Sequence, residues 1–317
     1  MFGLGKNQVY AIGVDLSGDG LRLAQLAGQG RQLSLVAACC RDCPDDMDPG
    51  SAAWQRWAAE AVHEMVGTCG FRGKAVTAAM LPGEVFIDNI KMPKTTEGKL
   101  EDAIFAKIKQ QMSLRYSRED ALIRYIPTEQ DNALVMVADR GLIDRHLAIY
   151  EKAGLTLKSM GAWPEAMATC YAGFFGRRQS DLQAVVMLVN IGAYCTNVVI
   201  CRHAHPLFAR SIPIGAQRLD DEKAFNGLVL EVMACRRDFV SMYRNVPLTR
   251  VIFLSGPAVE TQVYSTLAKQ LEVQAQIGDC MAAVEAADPV GRPQSMWGED
   301  RRACPVSWAT AFGLSLS

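Results

Sequence analysis

One short pattern occurs twice in this chain. The stretch VYAIGVDLSGDGLRLAQLA (9–27) is an apolar run ending in Asp15, a turn of small residues, and a second run with alternating apolar positions. The stretch VVMLVNIGAYCTNVVICR (185–202) repeats it, with Asn190 at the end of the apolar run and Gly192-Ala193 in the turn. Each reads as two strands joined by a tight turn. A duplicated strand–turn–strand unit this far apart predicts two similar lobes, each built on its own sheet.

The rest of the chain is read around that repeat. A third strand is expected at Leu33–Ala38. Trp54, Trp57, Ala61, Val62 and Met65 recur at helical spacing, with Gly70 closing the helix region and a buried strand at Ala75–Met80. Trp54 and Trp57 read as core or inter-subdomain packing. Pro82 changes the character: an alternating strand Val85–Met92 stops at Pro93. Thr95 or Thr96 then caps a helix with the face Leu100, Ile104, Ile108, Met112. Strands near Leu122–Tyr125 and Ala133–Ala138 and a helix Leu142–Ala153, ended by Gly154, complete an inserted unit over roughly 82–160. A helix at Pro164–Phe175 precedes the second copy of the repeat. Beyond it come a helix Gly227–Tyr243, a buried strand Val251–Leu254, the turn Ser255-Gly256-Pro257, and a final helix within Ala303–Leu316.

The 317 residues are 50% hydrophobic and 21% charged, enough for one large core or two lobes. A formal net charge of −1 argues against a dedicated nucleic-acid binder, and no polybasic run marks an anionic membrane surface. No run approaches the roughly 18 apolar residues of a membrane-spanning helix, so direct membrane insertion is not expected. The first residues lack the charged region and long apolar core of a secretory signal. The ten cysteines, among them Cys170, Cys195, Cys201 and Cys235, sit in apolar contexts and read as buried thiols of a reducing compartment. The expected location is cytoplasmic.

Small motifs add little chemistry. Cys40-Arg41-Asp42-Cys43 has C-x-x-C spacing with Cys39 adjacent, but no second ligand pair follows for zinc, and Pro44 and an acidic loop replace the helix of a redox motif. His203-x-His205 reads as a solvated hairpin tip. Gly3-Leu4-Gly5-Lys6 lacks the strand and spacing of a P-loop and reads as a tail. No nucleophile–histidine–carboxylate set and no metal site can be assembled, so no catalytic residue is expected.

Taken together, the motifs resemble the actin/FtsA superfamily and, within it, the PilM family of type IV pilus assembly proteins. The first phosphate loop corresponds to Ile12-Gly13-Val14-Asp15-Leu16-Ser17-Gly18, the second to Val189-Asn190-Ile191-Gly192-Ala193 with Thr196, and the adenosine-side turn to Ser255-Gly256-Pro257. Phe208-Ala209-Arg210-Ser211-Ile212-Pro213-Ile214-Gly215 matches a PilM-like phrase, and Ala311–Leu316 the family's terminal helix. The resemblance implies an α/β actin-like fold of duplicated RNase H-type lobes, the first over 1–81 and 161–183 and the second over 184–317. An FtsA-type subdomain is inserted over 82–160.

It also implies a nucleotide site at Asp15, Ser17, Gly18, Gly20, Gly192, Thr196, Glu231, Ser255 and Gly256. The sequence departs from that site in three places. Asn190 replaces a carboxylate that positions magnesium and water. Pro257 replaces a glycine that lets the backbone approach the nucleotide. Only a short stretch separates Gly215 from the helix carrying Glu231, where longer relatives insert a nucleotide-clamping subdomain; MshI and the GspL cytoplasmic domain share the shortened second lobe. No cofactor is therefore expected, with ATP and magnesium held weakly at best. Asp15 has an alternative role in capping its own turn.

By the same resemblance the chain is a cytoplasmic scaffold of a pilus or secretion machine, peripheral to the inner membrane. Its partner is the N-terminal tail of a PilN-type inner-membrane protein, in a groove bordered by Val85, Phe86 and Ile87. An active actin-like ATPase is the alternative. Homo-oligomerisation is compatible with either.

Overall fold

The computed structural model describes residues 8–29, 32–45, 47–94, 99–111, 117–256, 259–287 and 307–317. The sequence-expected positions Thr95, Thr96, Met112, Pro257 and Gly3–Lys6 lie outside them.

The two copies of the repeat nucleate two sheets of the same design. In the first, β1 (Gln8–Ser17) and β2 (Gly20–Gln29) form a hairpin, β3 (Gln32–Asp42) adds outside β2, and β4 (Ala75–Ala79) and β8 (Thr156–Gly161) add in parallel on the other side. The order is β3-β2-β1-β4-β8. In the second, β9 (Val185–Ile191), β10 (Thr196–Arg202), β11 (His205–Ile212), β12 (Leu248–Phe253) and β13 (Gln274–Ile277) take the order β11-β10-β9-β12-β13. Position for position, three antiparallel strands are followed by two parallel ones in each sheet. This is the duplicated α/β architecture expected from the repeat.

Helices cover the sheets. Against the first pack α1 (Ala52–Thr68) and α3 (Arg140–Lys152): Trp54, Ala58 and Val62 of α1 and Ile149 and Tyr150 of α3 share a core with Ile12, Val14, Leu21 and Leu23. Ser51 caps α1 by accepting from the Trp54 amide, and Gly154, at φ +71°, ends α3 in the left-handed conformation that glycine adopts without cost. On the second sheet, α5 (Glu222–Met242) buries Leu228, Val232, Cys235 and Phe239 beside Val263 and Leu267 of α6 (Thr261–Leu271). The helix begins five residues before the sequence-expected Gly227, because Asp221 accepts from the Lys223 amide and starts it early.

Between the sheets runs a shared core. It joins α4 (Trp163–Phe174), α7 (Cys280–Ala287) and α8 (Ala309–Ser315) to Ala24 and Leu26 of one sheet and Val186, Leu188 and Ile252 of the other. Here α8 lies so close to β1 that a Cβ on Gly13 would fall 2.0 Å from the Ala311 carbonyl oxygen. A Cβ on Gly313 would fall 1.8 Å from that of Ala166.

The inserted unit is a three-stranded sheet, β5-β7-β6, made of β5 (Val85–Lys91), β6 (Ala121–Pro127) and β7 (Asn132–Asp139), with α2 (Leu100–Gln111) on one face. The sequence-based boundary at residue 160 needs correction. By then the chain has already rejoined the first lobe: β8 pairs with β4, and α3 contributes Ile149, Tyr150 and Ala153 to the first-lobe core. The insertion proper ends at Asp139, whose side chain caps α3. The reason is that α3 is amphipathic with two apolar edges, Leu142 and Ile143 toward the insertion and Ile149 and Tyr150 toward α1.

Candidate functional site

The turns that end β1 and β9 face each other across the cleft between the lobes. Asp15, Ser17, Gly18 and Asp19 from the first and Asn190, Gly192, Ala193 and Tyr194 from the second line one cavity of 410 Å³. A further opening of 940 Å³ continues from it past Asp42–Asp45 to Ala216 and Gln217.

The first turn is tight: Ser17 and Gly20 are register partners, and a Cβ on Gly20 would lie 2.4 Å from the Arg41 carbonyl oxygen of β3. Glycine is required there. The polar side chains of this turn are occupied by one another. Arg22, on β2, donates to Ser17 Oγ at 2.5 Å and pairs with Asp19 at 2.6 Å, and its guanidinium stands 3.9 Å from Asp15. Ser17 in turn donates to Asp19 at 2.5 Å. Burial pushes the Asp15 carboxyl up to about 6, with Arg22 opposing and Asp19 adding to the rise. Arg22 therefore supplies the positive charge that a bound metal ion would otherwise bring to these carboxylates. Its signal was present in the sequence: GLRLAQLAG carries one charged residue among its leucines and small residues, and a charge in a buried strand needs a partner.

On the opposite side Asn190 is 9% exposed, and its Oδ1 has no hydrogen-bond partner. Tyr194, 56% exposed, lies against the facing turn: a Cβ on Gly18 would meet its Cδ2 at 3.3 Å. The ring thus covers the gap between the two turns where the backbone amides would cradle a phosphate. Glu84 also reaches this cavity, held by His146 at 2.5 Å, and Trp163 and Thr310 complete its floor. None of Arg22, Tyr194, Glu84, Trp163 or Thr310 was singled out from sequence; Glu84, Trp163 and Thr310 reach the cleft only through tertiary packing.

The remaining sequence-expected nucleotide residues are placed as follows. Gly192 lines the cleft, its amide bonded to the Cys195 carbonyl. Thr196 is fully buried and donates its hydroxyl to the Ile214 carbonyl at 2.7 Å, so it braces β10 and does not face the cleft. Ser255 accepts from the Ile191 amide at 2.8 Å, and the Gly256 carbonyl accepts from the Tyr264 hydroxyl; both tie the third turn to its own lobe. Glu231 is exposed on α5 and lines neither opening. A nucleotide phosphate fits this set poorly. Three carboxylates (Asp15, Asp19 and Glu84) face the cavity, and the guanidinium beside them is already bound to two.

Val85, Phe86 and Ile87 are all occupied within the fold. Val85 is buried with Met80 and Met136; Phe86 joins Ile104 and Ile108 of α2; Ile87 turns to the opposite face, against the central core. The outer edge of β5 approaches β11, where the Asn89 amide donates to the Ala209 carbonyl at 3.3 Å. These strand positions therefore wall the insertion; the opening at β5, of 480 Å³, is lined instead by Asn89 and Lys91 with Gln130, Asn132, Ser241, Met242 and Arg244. The open edge is on the other side of the sheet. There β6 presents half-buried Leu122 and Ile126 and exposed Arg124, bound to Glu165 at 2.7 Å. In the first sheet β8 is the outer strand, and Leu147 of α3 is 41% exposed.

Among the described residues no helix is long and apolar enough to cross a membrane. Also among them, no group of three or more potential ligands is arranged to hold a metal ion.

No family model and no curated protein matches this chain. Solved structures do. A chain of the "PilM-PilN type IV pilus biogenesis complex" is similar with a TM-score of 0.73 at 18% identity, covering 97% of this chain and 98% of that one. The cytoplasmic domain of EpsL, an inner-membrane component of the type II secretion system of Vibrio cholerae, is similar with a TM-score of 0.51 at 14% identity, over 92% and 99%. A Bacteroides thetaiotaomicron protein described as having an actin-like ATPase fold gives 0.51 at 8% identity, over 88% and 96%. The fold is actin-like.

Proposed function

We propose that this chain is a PilM-type scaffold, acting at the cytoplasmic face of a type IV pilus or related secretion machine, where it holds the N-terminal tail of a PilN-type inner-membrane protein. The observation that carries the reading is that β6 and β8 are each the outer strand of their sheet, while Ile126 of β6, Met160 of β8 and Ile143 of α3 pack on one apolar cluster. On the same two elements, β6 and α3, Leu122 is half-buried and Leu147 is exposed. An extended peptide laid along such an edge gains main-chain hydrogen bonds, and alternate side chains find the apolar positions. The similarity in fold to a chain of a PilM-PilN complex supports the choice of partner.

A second reading, an actin-like ATPase, is favoured by one observation: Asp15 and Asn190 share a cavity. The engagement of Asp15 by Arg22 and the cover of Tyr194 over Gly18 weigh against it. We therefore take nucleotide binding as weak and the protein as a scaffold, not a catalyst.

The test is titration of a synthetic N-terminal tail of the neighbouring PilN-type protein into the purified chain. Leu147→Glu, at an exposed position, should keep the melting temperature and weaken binding at least about tenfold. Binding that survives Leu147→Glu and Leu122→Glu alike would place the tail elsewhere and remove the support for this groove.

A further inference from the structure

The cleft carries more negative charge than its own network neutralises. Its cavity of 410 Å³ is bordered by Asp15, Asp19 and Glu84 and by one basic side chain, Arg22. Glu84 is tied to His146 behind it. The opening of 940 Å³ continues the cavity outward, since Gly18, Asp19, Pro49 and Tyr194 line both. Asp42, Asp45 and Asp48 stand exposed around that mouth, and its described lining contains no lysine, arginine or histidine. A cleft lined by one sign of charge draws in ions of the other.

At the inner end the cavity offers an acceptor that lacks a donor. Val186 and Leu188 of β9 point into the central core between the lobes, whereas Val189 and Ile191 point into the core under α5. Strand alternation therefore puts the Asn190 side chain on the inter-lobe face, where it lines the cavity. It is 9% exposed, and its Oδ1 accepts no hydrogen bond. A buried amide oxygen without a donor costs free energy that a ligand N–H recovers. By the same alternation Ile12, Val14 and Leu16 of β1 face α1, and Asp15 looks the other way, toward the cavity.

We infer that this cleft binds a linear aliphatic polyamine, with an inner ammonium at Asp15 and Asn190 and an outer one among Asp42, Asp45 and Asp48. An ammonium is a compact head with three donors and no acceptor, which fits carboxylates and an open amide oxygen. A bare metal ion fits less well: among the described residues no group of three or more potential ligands is arranged to hold one. A phosphate is repelled by the same carboxylates. The rest of the cavity wall includes Pro49, Leu81, Pro82, Trp163 and Tyr194, apolar and aromatic surface that matches a hydrocarbon stem with cationic ends. Asp15 belongs to the first lobe and Asn190 to the second, so the inner ammonium joins the two. Burial holds the Asp15 carboxyl up at about 6, and an ammonium beside it favours the ionised form and displaces its proton.

The experiment titrates the whole chain calorimetrically with spermidine, with n-butylamine and magnesium chloride as separate arms at matched ionic strength. Saturable spermidine binding is expected, at least about tenfold tighter than that of n-butylamine, which fills only one station. Near pH 6 spermidine should release protons, read as a dependence of the heat on the buffer's ionisation enthalpy, and Asp15→Asn should abolish that release. Asp45→Asn combined with Asp48→Asn should weaken spermidine at least about tenfold. Both positions are exposed, so the melting temperature of the free protein should not change. Spermidine that binds no more tightly than magnesium, or binds the double variant as well as the parent, would overturn the assignment. Binding without proton release near pH 6 would do the same, because it puts the amine away from Asp15.

Discussion

The side chain of Gln130, in the turn between β6 and β7, is bonded in both directions to the backbone of Arg244 just past α5: its amide donates to the carbonyl at 3.0 Å and its oxygen accepts from the N–H at 3.2 Å. Around it Thr128 meets the Tyr243 hydroxyl at 2.7 Å, Asn132 donates to the Met242 carbonyl at 3.3 Å, and Glu129 pairs with Arg202. The insertion is thus fastened to the second lobe, although the chain delivers it from the first.

Gln130→Ala should release the insertion from α5. Gln130 has φ +56°, a conformation that costs alanine about as much as glutamine, so the substitution isolates the two hydrogen bonds. A loss of about 1–2 kcal/mol at this contact is expected. Hydrogen exchange should report it as faster exchange in β5–β7, with the β9–β12 amides unchanged.

Mg-ATP should bind with Kd weaker than about 100 μM, which corresponds to at most about 5.5 kcal/mol. Asn190, the closed Arg22–Asp19–Ser17 network and Tyr194 all act against the same ligand. Calorimetric titration giving low-micromolar affinity would contradict this, and Asp15→Ala would then be expected to abolish it.

Asp15 sets a pH dependence with a definite sign. Its folded pKa, about 6, is raised above the ordinary 3.8, so its contribution favours folding below pH 3.8 and is lost as pH rises through 6. At pH 7.5 the buried charge is a cost of about 2–3 kcal/mol. Asp15→Asn should therefore raise the denaturation midpoint at pH 7.5 and have little effect near pH 4, as read by urea melts at the two pH values.

Phe86 and Ile87 should act on stability before binding. Phe86→Asp puts a charge into the α2 core and Ile87→Asp puts one against the central core, so each should cost about 3 kcal/mol or more. Lys107→Glu, at a half-buried position of α2 where the native amine donates to the Lys91 carbonyl at 2.8 Å, should cost under about 1 kcal/mol. Thermal melts of the three variants distinguish a packed wall from an open groove at β5.

Gly13→Ala and Gly313→Ala should be among the most damaging single methyl additions in the chain. Each new Cβ would meet a backbone carbonyl at 2.0 or 1.8 Å, and backbone at a helix–strand or helix–helix crossing cannot retreat cheaply. A cost above about 3 kcal/mol is expected, or failure to fold, measured by denaturation against Gly67→Ala, which has open space at its Cβ.

What the sequence determined by itself is the repeated local grammar. Apolar runs ending in Asp15 and Asn190, followed by small-residue turns, specify hairpins. Gly154 and Gly70 specify helix ends, and alternation at Val85–Ile90 specifies a strand. These depend on neighbours a few residues apart, so they are legible without a fold, and two copies of one hairpin suffice to imply two matching sheets. Only the tertiary structure decided which partner each side chain takes. It turned the Thr196 hydroxyl into the lobe, closed Arg22 onto Asp19, laid Tyr194 over Gly18, returned α3 to the first lobe, and fastened Gln130 to Arg244. Apart from Arg22 and Asp19, three residues apart, those choices rest on burial and on contacts between residues tens to hundreds of positions apart. The sign of a contact there is fixed by which face of which strand looks inward, and a one-residue shift of register reverses it.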